Sequence, residues 1–245
     1  MIAGLPALDL SRSALFLDID GTMLDIAAAP HQVHVPPELP AELARISELC
    51  GGALALISGR AIEDIDRLFQ PNRFPAAGAH GAQLRRTQGG TIDRVSRPIP
   101  EALRESFCAL ASGSGTFIED KGATLALHYR LAEHAPFDEK KISALQKQAG
   151  NSGFGVLNGK KVLELTPLGV DKGIAIRAFM AKPPFQGRQP VFAGDDWTDA
   201  HGFAVLEELG GVGITVGARF AGAKYCAERP SVVRAWLKGL VDSVL

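Results

Sequence analysis

The 245-residue sequence has little cysteine, no excess of either charge and no long apolar run. Its three cysteines, Cys50, Cys108 and Cys226, are far apart and form no CxxC pattern, so we expect reduced thiols and neither a zinc site nor a disulfide framework. Because the formal net charge is -1, the sequence predicts no general attraction to nucleic acid or to an anionic membrane. No run approaches the roughly 18 apolar residues of a membrane span, and no signal peptide is recognisable. We therefore expect a cytoplasmic protein that binds neither nucleic acid nor membrane.

Short apolar segments that end in polar residues are the main feature of the sequence. Residues 14–17 predict a strand buried on both faces, as in a parallel sheet, and Asp18 and Asp20 follow it. Side chains two residues apart leave an extended chain on the same side, so both carboxylates are expected to face one site. Gly21 allows a turn there, and Thr22 adds a hydroxyl. A hard cation such as Mg2+ would relieve the repulsion between the carboxylates; the alternative is a plain Asp-rich turn.

Two further apolar segments end in the same way. Residues 53–57 stop at Ser58, and residues 190–193 stop shortly before the carboxylates of Asp195, Asp196 and Asp199. The carboxyl ends of neighbouring parallel strands meet at one crevice. Acids from two strand ends would bring more negative charge there than a site holds without a cation, which favours a metal site. Ser58 has two interpretations, a phosphate ligand or the N-cap of the following helix.

A lysine occupies an unfavourable helix position. Asp171 predicts the N-cap of a helix that runs to about residue 180, which places Lys172 in its first turn. A cation there opposes the helix macrodipole, at a typical cost of ~0.3 to 1 kcal/mol. The position is explained if Lys172 faces carboxylates and a phosphate.

The composition changes between residues 85 and 100, where basic and turn residues replace the apolar segments. This change predicts the start of an inserted domain, a small α/β layer that includes a hairpin with an Asn158-Gly159 turn. Five polar residues of the insertion have two interpretations, a cluster that binds a polyol or ordinary surface residues. They are Glu119, Lys121, His128, Lys160 and Glu164. Strands and helices alternate in the rest of the chain, so the predicted fold class is α/β.

Several motifs together resemble a known family. DIDGT at 18–22, Ser58, the DKG helix start with Lys172 and GDDWTD at 194–199 resemble the haloacid dehalogenase-like phosphatases in order and separation. Within that superfamily, GAHG, EDKG with ALHYR, and NGKKVLEL are similar to the trehalose-6-phosphate phosphatases. The sequence departs from the pattern at Trp197, where a smaller aliphatic residue is usual, and at Ala200, where an acid is common.

The resemblance implies a fold and a reaction. The fold would be a Rossmann-like parallel-sheet core, residues 1–97 and 168–245, with an inserted smaller α/β cap domain, residues 98–167, that selects the substrate. The reaction would be Mg2+-dependent hydrolysis of trehalose 6-phosphate to trehalose and phosphate, within trehalose biosynthesis. Asp18 would attack phosphorus and form an aspartyl-phosphate, and Asp20 would protonate the leaving oxygen and then activate water. We expect a monomer whose partner is this small sugar phosphate.

The resemblance also implies which residues bind metal and substrate. The carboxylates of Asp18 and Asp195 and the backbone carbonyl of Asp20 would hold Mg2+. Asp196 and Asp199 would orient water and Lys172, and Ser58 and Lys172 would bind the phosphoryl oxygens. Substrate contacts would come from Thr22, Arg60, His80 and Gly81 in the core, and from Glu119, Lys121, His128, Lys160 and Glu164 in the cap.

Two alternative functions remain at this point. The first keeps the chemistry and changes the substrate to another sugar phosphate, of the sucrose-phosphate or mannosyl-glycerate phosphate type, and only the cap residues argue against it. The second is a phosphorylatable signalling module, because receiver domains also combine strand-end acids with Mg2+ and a lysine. A receiver needs no acid for an alcohol leaving group, so Asp20 and the inserted domain favour the phosphatase.

Overall fold

The computed structural model describes residues 4–94, 97–159 and 161–243. Packing divides the chain into two compact units, Met1–Asp93 with Asp171–Leu245 and the inserted Arg94–Val170. The limits predicted from the sequence were 97 and 168. The assignment of the inserted unit as a domain that selects the substrate stays a prediction.

Strands and helices alternate along most of the described chain. In chain order the strands are β1 (Ser13–Leu17), β2 (Leu54–Ile57), β3 (Ala76–Gly78), β4 (Gln83–Arg85), β5 (Asp93–Arg94), β6 (Phe117–Asp120), β7 (Leu125–His128), β8 (Phe154–Gly159), β9 (Val162–Pro167), β10 (Gln189–Gly194), β11 (Val212–Val216) and β12 (Tyr225–Ala227). The helices are α1 (Leu39–Leu49), α2 (Ile62–Leu68), α3 (Glu101–Cys108), α4 (Glu139–Asn151), α5 (Lys172–Met180), α6 (Ala200–Glu208) and α7 (Pro230–Asp242). In the part of the chain described, none of these helices is long and apolar enough to cross a membrane.

The first unit is built on one mostly parallel sheet. Its strand order is β12-β11-β10-β1-β2-β3-β4-β5, and the pairs from β12 through β3 are parallel whereas β3 and β4 are antiparallel. Every residue of β1 and β2 is buried, as expected for central strands covered on both faces. The predicted α/β fold class is confirmed. The short edge strand β12 was not predicted, because its three residues carry no usable periodicity.

The second unit is an antiparallel sheet with two helices on one face. Its strand order is β6-β7-β9-β8. Alternate strand residues such as Leu127 and Leu165 form a separate apolar core with Phe107 of α3 and Leu145 of α4. The predicted hairpin between β8 and β9 exists, but its turn is not at Asn158-Gly159. Both residues belong to β8 and pair with Leu163 and Val162, because this register brings Phe154, Val156 and Leu165 to the apolar core of the unit, ahead of the turn preference.

Buried Arg85 connects β4 to α2 and to the segment that precedes β3 in the first unit. Arg85 is fully buried in β4, and its guanidinium donates to both carboxylate oxygens of Asp66, at 2.5 and 2.8 Å, and to the carbonyl of Phe74 at 2.7 and 2.9 Å. A bidentate Arg–carboxylate pair uses the planar donor fork fully, so the buried charge is compensated. The neighbouring Arg86 is exposed and pairs with Asp93 at the surface.

We expect Arg85→Met to lower the free energy of unfolding by about 2 to 4 kcal/mol, because the Phe74 carbonyl loses its buried donor and the half-buried Asp66 keeps only Arg73 at 3.3 Å. The matched variant Arg86→Met should cost at most about 1 kcal/mol, as is usual for exposed pairs. Urea unfolding followed by circular dichroism measures both. Equal costs for the two arginines would contradict this account.

Candidate active site

Three strand ends meet at one edge of the parallel sheet. Strand β1 lies between β10 and β2, with Leu17 aligned to Ala193 on one side and to Leu56 on the other. The backbone N–H of Asp18 still donates to the Ala193 carbonyl, at 3.0 Å, so the ladder continues to the first acid. The chain after β10 brings Asp195 to the same edge. The predicted convergence of polar residues at this edge is therefore present.

A tight turn follows Asp18. The carbonyl of Ile19 accepts hydrogen bonds from the N–H groups of Met23 and Leu24, and the N–H of Gly21 donates to the Leu24 carbonyl at 2.7 Å. Gly21 has a φ of 84°, and a Cβ at this position would overlap the carboxylate of Asp195. Glycine is thus required both for the backbone conformation and for the close approach of Asp195 to the turn.

Lys172 lies between two buried carboxylates. Its ammonium is 2.8 Å from Oδ1 of Asp18 and 2.5 Å from Oδ1 of Asp199. The other oxygen of Asp18 accepts a hydrogen bond from the hydroxyl of Thr22 at 3.0 Å. The predicted N-cap is also present, because Asp171 accepts from the N–H of Ile174 at 2.7 Å. The cation in the first turn of α5 thus has two carboxylate partners, as its position suggested.

Asp199 orients the segment that carries Asp195. Its Oδ2 accepts hydrogen bonds from the backbone N–H groups of Asp195 and Asp196, both at 2.9 Å, while its Oδ1 accepts from Lys172. Asp196 caps the 3-10 turn that begins at Trp197. Its Oδ1 accepts a hydrogen bond from the Trp197 N–H at 2.6 Å. Both carboxylates accept hydrogen bonds from backbone N–H groups of this loop. Their roles stay predictions.

Burial and charge act in opposite directions on this cluster. Burial raises the pKa of Asp18 well above its usual range, Lys172 opposes that rise, and the carboxylates of Asp199 and Asp195 add to it. Burial alone would lower the pKa of Lys172, but Asp18 and Asp199 outweigh it and raise the pKa above its ordinary value. The ammonium is therefore charged, and further positive charge beside Asp18 would favour its ionised form.

The donor set fits a hard divalent cation. Carboxylate oxygens of Asp18, Asp195 and Asp199 lie within 4.8 Å of one another, and all three residues are buried. With all three carboxylates ionised and Lys172 charged, the cluster has two negative charges in excess, which one divalent cation would cancel. Asp199 accepts three protein hydrogen bonds and Asp18 accepts two, so Asp18 and Asp195 are the candidate ligands and Asp199 the group that orients its neighbours.

Asp20 does not join the carboxylate cluster. Its two oxygens accept from Nε and Nη2 of Arg60, at 2.6 and 2.7 Å, and Nη1 of Arg60 donates to the Pro30 carbonyl at 3.1 Å. Arg60 was predicted to contact substrate, and in this structure its guanidinium holds Asp20. This bidentate pair holds the carboxylate of Asp20 outside the group formed by Asp18, Asp195 and Asp199, although only Ile19 lies between Asp18 and Asp20 in the chain.

Ser58 and the segment around His80 pack against each other. The hydroxyl of Ser58 accepts from the N–H of Arg60 at 3.1 Å, so its proton remains to be donated. Ser58 is not the N-cap of α2, which is Ala61. The carbonyl of Ser58 accepts from the N–H of His80 at 3.0 Å, and the His80 ring lies close enough to Gly59 that a Cβ there would be 2.6 Å from Nε2.

The turn at His80 is held in an unusual backbone conformation. His80 itself has a φ of 56°, and Gly81 follows with a φ of 104°. A Cβ on Gly81 would be 2.9 Å from the carbonyl oxygen of Asp171, at the start of α5. Non-glycine residues with positive φ are uncommon and cluster at functional sites. The conformation therefore places His80 between β2 and the helix that carries Lys172, while its contact with substrate stays a prediction.

A second polar cluster lies in the inserted unit. Nζ of Lys121 is 2.9 Å from Oε1 of Glu164 and 3.7 Å from Oε2 of Glu119, and Nε2 of His128 is 2.8 Å from the same Glu119 oxygen. Burial raises the pKa of Glu119, but the hydrogen bond from His128 and the charge of Lys121 outweigh it and lower the pKa below its usual value. The structure thus joins four of the five predicted cap residues, and Lys160 lies outside the described residues.

Sequence reasoning missed Phe117, which stacks on His128 with ring centroids 4.5 Å apart and an angle of 10° between the planes. The two residues are direct cross-strand partners in β6 and β7. The signal was present in the alternation of β6, because Phe117 precedes Glu119 by two residues and shares its face of the sheet.

Comparison with known proteins identifies similar chains. A family model described as trehalose-phosphatase matches residues 16–230. A probable trehalose-phosphate phosphatase of Sinorhizobium fredii is 40% identical over 237 residues, which are 96% of this chain and 89% of the relative. The trehalose-6-phosphate phosphatase of Escherichia coli K12 is 39% identical over 241 residues, 96% of this chain and 88% of the relative. The C-terminal domain of the Candida albicans trehalose-6-phosphate phosphatase, 20% identical, superposes with a TM-score of 0.82 over 96% of this chain and 94% of that one, which shows the same fold.

We expect Gly21→Ala to destabilise the protein more than Gly217→Ala. Gly217 also has positive φ, 75°, but a Cβ there meets nothing within 4 Å, so its substitution carries only the backbone cost of about 1 to 2 kcal/mol. At Gly21 the overlap with Asp195 should add about 1 to 3 kcal/mol. Thermal unfolding of both variants measures the difference, and equal losses would show that Asp195 gives way without strain.

Proposed function

Because the chain belongs to the trehalose-phosphatase family, we propose that it hydrolyses trehalose 6-phosphate to trehalose and phosphate. The observation that carries the chemistry is the buried Asp18 with Lys172 at 2.8 Å, at the end of the central strand β1. A buried carboxylate held beside a buried ammonium is suited to attack a phosphate monoester.

In the first chemical step an oxygen of Asp18 forms a bond to phosphorus while the bond from phosphorus to the sugar oxygen breaks. Asp20 gives a proton to that oxygen, which would otherwise leave as a poor alkoxide. In the second step water attacks phosphorus, Asp20 takes a proton from the water, and the bond between Asp18 and phosphorus breaks. Lys172 and the Ser58 hydroxyl stabilise the phosphoryl oxygens throughout.

The proposal includes Mg2+ bound by the carboxylates of Asp18 and Asp195 and by the backbone carbonyl of Asp20. Its charge would neutralise the acidic cluster and the substrate phosphate. In the protein itself, Asp199 holds the Asp195 segment in place and Thr22 fixes one oxygen of Asp18. Each of these bonds limits the rotation of a group that has to be aligned for in-line attack.

Sugar recognition is assigned to the cluster of the inserted unit. Glu119, Lys121, His128 and Glu164 offer several donors and acceptors in one connected group, as the hydroxyls of a disaccharide require. Lys160 belongs to the same proposal on sequence grounds alone. These side chains are the reason to prefer a sugar phosphate to other phosphate esters.

The reaction is placed in the cytoplasm, and a monomer is expected. All three cysteines are free thiols, which suits a reducing compartment. Burial raises the pKa of Cys50 to about 12, so this thiol is unreactive at neutral pH. Size-exclusion chromatography with light scattering would measure the oligomeric state directly.

We expect phosphate release from trehalose 6-phosphate with Mg2+, loss of activity with EDTA, and a decrease in kcat of about 10^4-fold or more in Asp18→Asn. Asp242→Asn, at an exposed aspartate of α7, should match the parent. The assay compares trehalose 6-phosphate with sucrose-phosphate and mannosyl-glycerate phosphate. A clear preference for either of these overturns the substrate assignment, and Mg2+-dependent turnover by Asp18→Asn near the parent rate overturns the covalent mechanism.

A second experiment asks whether Arg60 positions Asp20 or binds phosphate. If it positions Asp20, Arg60→Met should lower kcat for trehalose 6-phosphate by about 10- to 100-fold, because the sugar oxygen needs a proton to leave. The initial burst with dinitrophenyl phosphate should change little, since that leaving group needs no proton. Stopped-flow absorbance records the burst.

Asp20→Asn is the matched comparison and should show the same dependence on leaving group more strongly. A loss of similar size with both esters in Arg60→Met, expressed as a higher KM, would instead assign Arg60 to the phosphate.

A further inference from the structure

One face of the four-stranded sheet in the inserted unit carries polar and aromatic residues. The apolar core lies on the opposite face, where Ile118 and Leu127 pack toward α3 and α4. Side chains alternate along a strand, so Phe117 and Glu119 share the face away from that core, and His128 lies beside them on β7. Phe117 is 38% exposed, and in the described structure it does not belong to the unit's core.

Phe117 is continuous with the polar cluster. Its ring lies almost parallel to that of His128, at 4.5 Å between centroids, and Nε2 of His128 is 2.8 Å from Oε2 of Glu119. The same Glu119 oxygen is 3.7 Å from Nζ of Lys121. A flat apolar surface is therefore connected through His128 to a carboxylate and, through that carboxylate, to an ammonium.

This combination matches the chemistry of a pyranose ring. Such a ring has a face of C–H groups and a rim of hydroxyls, so it needs an apolar flat surface with hydrogen-bonding groups at the edge of that surface. An exposed phenylalanine otherwise has an unfavourable hydration free energy that burial against a ligand would remove. The hydrogen bond of His128 to Glu119 fixes the His128 ring on which Phe117 stacks.

We propose that Phe117, supported by His128, is a stacking surface for a glucose ring of the substrate and contributes to sugar specificity. This inference rests on the proposed function, because it takes a sugar phosphate as the substrate. Glu119 and Lys121 would then bind hydroxyls at the rim of the same ring. A structural explanation makes a different prediction, since cross-strand aromatic pairs also stabilise sheets and would affect only unfolding.

The test uses Phe117→Ala and Phe117→Leu, with Leu131→Ala as the control. Leu131 is an apolar residue of the same unit that is 63% exposed. For trehalose 6-phosphate, Phe117→Ala should raise KM about tenfold with little change in kcat, because the variant loses the apolar surface that a glucose ring would cover. Phe117→Leu should show an intermediate KM, Phe117→Tyr should remain within about twofold of the parent, and Leu131→Ala should not change KM.

Acetyl phosphate, which has no sugar, separates sugar binding from chemistry. The proposal requires that kcat/KM for acetyl phosphate is the same in the parent and in all Phe117 variants. It is overturned if Phe117→Leu and Phe117→Ala lower the unfolding temperature and leave KM for trehalose 6-phosphate unchanged, or if they affect both substrates equally.

Failure of this inference can be told apart from failure of the proposed function. If the parent prefers another sugar phosphate, the substrate assignment fails, and the KM of the Phe117 variants for that ester still tests the stacking surface. If the parent prefers trehalose 6-phosphate and Phe117→Ala keeps its KM, only the stacking surface fails. Phe117→Trp adds a direct measurement, because titration with trehalose should change its fluorescence relative to the parent, which has Trp197 and Trp236 only.

Discussion

The core site depends on the contact of the Lys172 ammonium with the carboxylates of Asp18 and Asp199. This ammonium stands in the first turn of α5, where the helix dipole opposes a cation, and it is buried, which also opposes charge. Two carboxylates outweigh both effects, because Asp18 and Asp199 each lie within hydrogen-bond distance. Removal of this cation would leave two buried carboxylates without the positive charge that compensates them. The contacts with Asp18 and Asp199 therefore compensate for the unfavourable position of Lys172 in the helix.

The same ammonium links the chemistry to the backbone. Asp199 is bound to Lys172 through one oxygen and to the N–H groups of Asp195 and Asp196 through the other. The position of α5 therefore determines the position of the loop after β10, and the contact of Gly21 with Asp195 connects that loop to the turn after β1. Asp195, Asp18 and Lys172, which we propose as metal ligand, nucleophile and phosphate-binding group, are thus fixed relative to one another by the fold. Such preorganisation lowers the reorganisation needed in the transition state.

The sequence predicted what depends on local pattern. Buried strands that end in acids identified Asp18 and Asp195, and the misplaced cation identified Lys172, because hydrophobic patterning and capping are readable in short segments. The turn of the β8–β9 hairpin was placed wrongly, since the register of the buried residues overrode the preference of Asn158-Gly159. The pairing of Asp20 with Arg60 was not predictable, because the partners are 40 residues apart and nothing local distinguishes a phosphate-binding arginine from one that binds a carboxylate.

The two units use the same arrangement of charges to different effect. In each, one lysine lies near two carboxylates: Lys172 near Asp18 and Asp199, and Lys121 near Glu119 and Glu164. The carboxylate side chains of the core are 6% and 0% exposed, whereas those of the inserted unit are 25% and 9% exposed. Deep burial raises the pKa of Asp18, but the partly hydrated Glu119 has a lowered pKa because its partners outweigh its smaller desolvation. The core arrangement therefore favours binding of further positive charge, while the more exposed arrangement already has its charges largely compensated and suits the neutral hydroxyls proposed as its ligands.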